Sequence, residues 1–107
     1  DAAHNREVLR RIAADCAARG VRVVLYTPPT WPTYHEHLSE EIVTLTRQIG
    51  TSLAREFSNV RYADLLKDKR FTADAFFDAS HLNYDHGGRK LIRILDDEIA
   101  EDPFPAK

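Results

Sequence analysis

The chain has 107 residues, which suits one small domain or a part of a larger one. Hydrophobic residues make up 43% and charged residues 30%, a globular balance that excludes a disordered polymer. Fifteen basic against seventeen acidic residues give a net charge of -2, so no phosphate-tracking field forms and no nucleic-acid partner is expected.

The one dense basic run, Lys67-Asp68-Lys69-Arg70, is interrupted by an acid and reads as a solvated turn. Cys16 stands alone, which rules out an internal disulfide and a Cys-based zinc site. It falls on the apolar face of a predicted helix, as a small buried hydrophobe does. No apolar run approaches the ~20 residues of a membrane span, and no stretch of these residues reads as a secretory signal. The sequence starts at Asp1 and contains no methionine, from which a trimmed or processed product with an upstream segment missing is expected.

The first predicted element is a helix over residues 5–19, with an apolar stripe of Val8, Leu9, Ile12, Ala13, Cys16 and Ala17. Gly20 is placed to close it. Val21, Val23, Val24, Leu25 and Tyr26 follow as a nearly continuous β-branched run, expected to be a strand buried on both faces and ended by Pro28 and Pro29. The loop TPPTWPTYHEHL comes next. Its Trp31, Tyr34 and His35 form either a rim that contacts a sugar or acyl group or a loop packed by its own aromatics. His35 and His37 flank Glu36 and invite a metal reading with His81 or His86. The H-x-H spacing sits in a proline-rich loop without a fixed third ligand, so no metal or other cofactor is expected.

Ser39 is an N-cap for a second long helix, with Glu40 and Glu41 in its first turn and Ile42, Leu45, Ile49, Leu53 and Phe57 at helical spacing. A second strand is expected over residues 59–66, in which Tyr62 reads as core. Asp64 reads either as a carboxylate aimed at a site or as a cap of the next turn. After a motif loop over residues 71–83, a last helix starts near Asn83 or Asp85, carries His86 exposed in its first turn, and buries Leu91, Ile92, Leu95 and Ile99. The residues 101–107 read as a frayed tail. Strands alternating with helices of this length predict a parallel sheet with helices on its faces. Two strands leave exposed edges, so a missing N-terminal segment or a homo-oligomer is expected to complete the sheet.

The stretch FFDASHLN sets Asp78 three residues before His81. A carboxylate at that spacing can accept from Nδ1–H and fix the imidazole tautomer, leaving Nε2 to take a proton from a hydroxyl. A turn beyond the carboxyl end of a parallel strand is also where open α/β sheets place active sites. The bare spacing occurs in many proteins by chance and there reads first as a cap cluster, with Asp78 bonding backbone N–H groups and His81 half exposed.

In its wider context the string FFDASHLNYDHGGRKLIRIL resembles the closing block of SGNH (GDSL-type) hydrolases, an Asp-x-x-His followed by an apolar residue, Asn and a Gly-containing helix start. The resemblance covers essentially the whole chain, since that family's closing half runs helix, strand, long helix, strand, Asp-x-x-His loop, helix. GVRVVLYTPPTWPTYHEHL further resembles uncharacterised SGNH-like proteins that bacteria encode near surface-polysaccharide genes.

The resemblance implies an α/β fold, a flavodoxin-like three-layer parallel sheet with helices on both faces, of which this chain is the C-terminal part. It implies that Asp78 is the triad carboxylate and His81 the general base. Trp31, Tyr34, His35 and Asn83 become the candidate substrate contacts. The implied activity is that of an ester hydrolase or acyl (acetyl) transferase acting on a carbohydrate ester. The family's Gly-Asp-Ser nucleophile and its oxyanion-hole Gly and Asn match nothing here. Ser39 reads as a cap, Ser52 lies mid-helix, Ser58 ends a helix and Ser80 is too close to His81. The alternative is a non-catalytic α/β interaction module associated with surface-polysaccharide synthesis.

Overall fold

A computed structural model describes residues 1–100, so the tail expected over 101–107 lies outside the described residues. The architecture is mixed α/β, built on a two-stranded parallel sheet. Helix α1 spans Ala2–Ala18. It begins earlier than the apolar stripe suggests because Asp1 caps it, accepting from the His4 backbone N–H at 2.9 Å. At its far end Gly20 takes φ 71°. The Val21 N–H then reaches the Cys16 carbonyl at 2.8 Å and the Gly20 N–H the Ala17 carbonyl at 3.1 Å, the paired bonds of a Schellman motif.

That motif consumes Val21, so strand β1 runs Val23–Thr27 instead of starting at residue 21. Strand β2 is Val60–Asp64, paired in register from Val23 opposite Val60 to Thr27 opposite Asp64. The crossover holds a short helix α2, Pro32–His35, where a loop is expected, and then helix α3, Glu40–Glu56. Ser39 caps α3 by accepting from the Ile42 N–H at 3.4 Å.

Strand alternation sorts the core into two clusters. Val23, Leu25 and Val60 meet Leu9 and Ala13 of α1 and Ile49 and Leu53 of α3, with Leu53 fully buried. Ala63 and the following Leu65 join Phe71, Ala75 and Ile94. Ile94 belongs to helix α4, Arg89–Ala100, which therefore lies against the other side of β2. On the first side α3 packs tightly at Gly50, where a Cβ would come within 2.5 Å of the Tyr62 ring. The Tyr62 hydroxyl shares a 2.5 Å hydrogen bond with Thr27 Oγ1 across the strand pair, and burial pushes its phenol pKa up. Buried Asn59 ties α1 to the start of β1, its Nδ2 donating to the Ala13 and Val21 carbonyls at 3.2 and 3.0 Å.

Three expectations need correction. The β1 residues are half-buried, and Tyr26 is exposed, because among the described residues the strand has one partner and its second edge is unpaired. Only the later half of the α3 stripe covers the sheet, leaving Ile42 and Leu45 exposed. In α4 the buried residue is Ile94, with Leu91 and Leu95 half-buried, Ile92 62% exposed and Ile99 exposed. A π-helical turn over Tyr84–Gly88 precedes α4. Its extra residue rotates the helix face relative to a regular 3.6-residue count from Asn83. No helix among the described residues is long and apolar enough to cross a membrane.

Candidate active site

Beyond β2 the chain is pinned before it reaches the motif. Asp64 accepts from the Leu66 N–H at 3.2 Å and from Arg47 Nε at 2.9 Å, so its carboxylate caps the turn. Leu65, Leu66, Phe71 and Ala75 are buried and anchor the segment to the core. Asp68 accepts from Arg70 Nε and Nη2 at 2.9 and 2.6 Å, a fork that holds its carboxyl below the usual range.

The motif itself is a small hairpin, not a loop. Strand β3, Phe76–Asp78, pairs antiparallel with β4, His81–Leu82, placing Phe76 opposite Leu82 and Asp78 opposite His81 with an irregularity between. Phe76 and Leu82 pack onto the Ala63–Ile94 cluster, which roots the hairpin on its inner side.

At its tip, Asp78 Oδ1 lies 2.8 Å from His81 Nδ1. A carboxylate only accepts, so Nδ1 carries the proton and neutral His81 presents Nε2 as a bare acceptor. Among the described residues no side chain hydrogen-bonds Nε2. Asp78 Oδ1 also accepts from the Ser80 backbone N–H at 3.0 Å and stands 3.3 Å from Ser80 Oγ. The His81 bond first and the Ser80 bond second hold the Asp78 carboxyl below the usual carboxylate range. The side chains of His81 and Asp78 are 72% and 51% exposed, so a partner or substrate can reach the pair directly.

Asn83 is used within the chain. Its Oδ1 accepts from the His86 and Gly87 N–H groups at 2.9 and 3.0 Å, and its Nδ2 donates to the Asp74 carbonyl at 2.7 Å. It thus caps the π-helical turn and binds it to the segment before β3. Gly87 fits beneath: a Cβ there would collide with the Ala75 carbonyl oxygen and lie 2.8 Å from Leu82 Cβ.

Trp31 is brought to the motif, its backbone N–H donating to the Ala79 carbonyl at 2.9 Å and its ring lying 5.7 Å from Phe76, tilted by 58°. Trp31, Phe76, Asp78 and Ala79 border a cavity of about 280 Å³. His35 is not among the residues bordering that cavity, its Nδ1 lying within 3.2 and 3.3 Å of Thr30 Oγ1 and O. Tyr34 and His37 are exposed beyond them and His86 is exposed in the π-helical turn. No group of three or more His, Cys, Asp or Glu side chains among the described residues is arranged to hold a metal ion.

Of the serines, Ser39 is a cap and Ser52 Oγ donates to the Ile49 carbonyl at 3.0 Å. Ser80 Oγ lies 3.0 Å from His81 Nδ1, the nitrogen already committed to Asp78, and so is on the wrong side of the ring to be activated. The cap-cluster reading anticipated Asp78 bonding a backbone N–H, as it does with Ser80, but not the added approach of the Ser80 hydroxyl. An Asp two residues before a small polar residue at a turn is the signal that could have found it.

No family model matches the chain, nor does any curated protein or solved structure compared with it.

Proposed function

We propose that this chain supplies the acid–base half of a serine-type ester hydrolase or acyltransferase of the SGNH kind, acting on a carbohydrate ester. The observation that carries it is the 2.8 Å Asp78–His81 bond through Nδ1, with Nε2 unengaged and open to the surface. In such a reaction His81 Nε2 takes the proton of an attacking serine hydroxyl, Asp78 stabilises the imidazolium, and His81 returns the proton to the leaving alcohol. The serine and the oxyanion donors come from outside the Asp78/His81 neighbourhood, on a segment or copy that also adds strands to the unpaired edge of β1. With those strands the sheet becomes the flavodoxin-like three-layer fold, and exposed Val8, Ile12, Tyr26 and Ile92 offer the apolar surface for such an addition.

The test is hydrolysis of a chromogenic acetyl ester by the whole gene product. His81→Ala is expected to lower turnover on the order of 10³–10⁴-fold without changing the fold. Equal rates refute the proposal. A second reading, a non-catalytic α/β interaction module in surface-polysaccharide synthesis, is favoured by the two contacts from Ser80 to Asp78, which also suit a purely structural turn cap. Under it, His81→Ala leaves every activity untouched.

A further inference from the structure

A second cavity, of about 410 Å³, shares Trp31 with the one beside Asp78 but is otherwise lined by different residues. Phe71, Pro32 and Trp31 contribute apolar lining, and Lys67 and Lys69 line it as well. Asp68 is the one carboxylate of the lining, and it is occupied by Arg70 through two side-chain bonds. Neither Lys67 nor Lys69 makes an ion pair or hydrogen bond among the described residues. Lys90, 5.9 Å from the Phe71 ring centroid, adds a further positive charge behind that wall. The basic run is the solvated turn expected, with Lys67 and Lys69 exposed, and it also lines a ring-sized apolar recess. An apolar body with a few charges is the combination that marks a small-molecule site.

We propose that this recess is an acidic-sugar subsite: it seats a pyranose unit bearing a carboxylate or phosphate, with its ring against Trp31 and its anion between Lys67 and Lys69. Trp31 borders both cavities, so an adjoining sugar unit carries its ester to Asp78 and His81. That last placement rests on the hydrolase proposal; the binding itself does not. Ammonium groups act as point charges and do not select between carboxylate and phosphate by geometry. The apolar wall, in contrast, requires a ring and sets a sugar acid apart from a free inorganic ion.

Trp31 is the sole tryptophan of the chain, so its emission reports the recess directly. The protein is titrated with D-glucuronate, glucose 6-phosphate, glucose and inorganic phosphate. Saturable changes are expected with one or both acidic sugars, weakening as salt is raised. Lys67→Gln/Lys69→Gln should weaken that binding about tenfold, Lys67→Arg/Lys69→Arg should retain it, and Arg11→Gln on the distant α1 should leave it unchanged. Circular dichroism confirms that each variant is folded. The proposal is overturned if neither acidic sugar saturates, if glucose or inorganic phosphate binds as tightly as they do, or if the double glutamine variant binds as the parent does. Acidic-sugar binding that persists in a protein with no esterase activity rejects the hydrolase proposal and leaves the subsite standing.

Discussion

The parallel pair β1–β2 and the hairpin β3–β4 are held by different forces. The parallel pair is fixed by apolar burial on both sides of β2, with Leu53 and Val60 on one side and Ala63 and Ile94 on the other. The hairpin has three residues in one strand and two in the other, with its outer side chains exposed. Its tip is shaped by polar bonds from Asp78 and its base by Asn83. The first region sets stability and tolerates little change of volume. The second can lose its chemistry with the fold intact, which is why the loss expected for His81→Ala is large in turnover and within about 0.5 kcal/mol in stability.

The strongest break on the other side of the comparison is Leu53→Ala. Leu53 is fully buried between α1 and the sheet, so its truncation should cost about 2–5 kcal/mol in chemical denaturation. The hairpin draws its apolar support from the other cluster, so the folded variant should keep the Asp78–His81 bond. A cost below 1 kcal/mol would show that this core is loosely filled.

The two glycines at close contacts sharpen the contrast further. Gly87→Ala drives a methyl into the Ala75 carbonyl, a backbone group that cannot swing away. It should cost about 1–3 kcal/mol and displace β4 with His81. Gly50→Ala meets the Tyr62 ring instead, and the gain in helix propensity of about 1 kcal/mol offsets part of the clash. Its net loss should be smaller, and whatever activity the dyad supports should survive it. Comparing denaturation midpoints and the His81 imidazole signals of the two variants checks both statements. Equal disturbance of His81 would mean that the two regions are not separable.

The same division explains what could be read from the residues. Helix α3 was legible because Ser39, the two glutamates and the Leu53 stripe all act locally. Strand β1 was legible from its β-branched run and β2 from the alternation of Val60, Tyr62 and Asp64 with Arg61 and Ala63. Helix α4 was legible in existence but not in phase, since the π-helical turn after Asn83 depends on Gly87 fitting under Ala75 and Leu82, a tertiary contact. The hairpin had no alternation and no glycine turn to announce it. It forms because Phe76 and Leu82 find the core while Asp78 bonds Ser80. At the candidate site, the spacing allowed both an Asp78–His81 contact and a cap on Asp78, and both bonds are present. The approach of Trp31 to Ala79, and the cavities it borders, required two segments almost fifty residues apart to meet.

The smallest effect is the pH dependence of the hairpin tip. The His81 bond, then the Ser80 N–H, hold the Asp78 carboxyl below its ordinary range, and therefore below its value in the unfolded chain. A group depressed on folding contributes its stability fully above the unfolded value and loses it as pH falls through the folded one. The bond should thus persist through neutral and mildly acid pH and disappear only below the ordinary carboxylate range. Solvent screens so exposed a pair, which keeps its share of global stability small. The titration is best followed at the Asp78 carboxyl carbon by NMR. His81→Ala should raise its midpoint only part of the way, because the Ser80 N–H still donates to the same oxygen. An unchanged midpoint would assign the depression to the turn alone and remove the bond from which the general-base role of His81 is inferred.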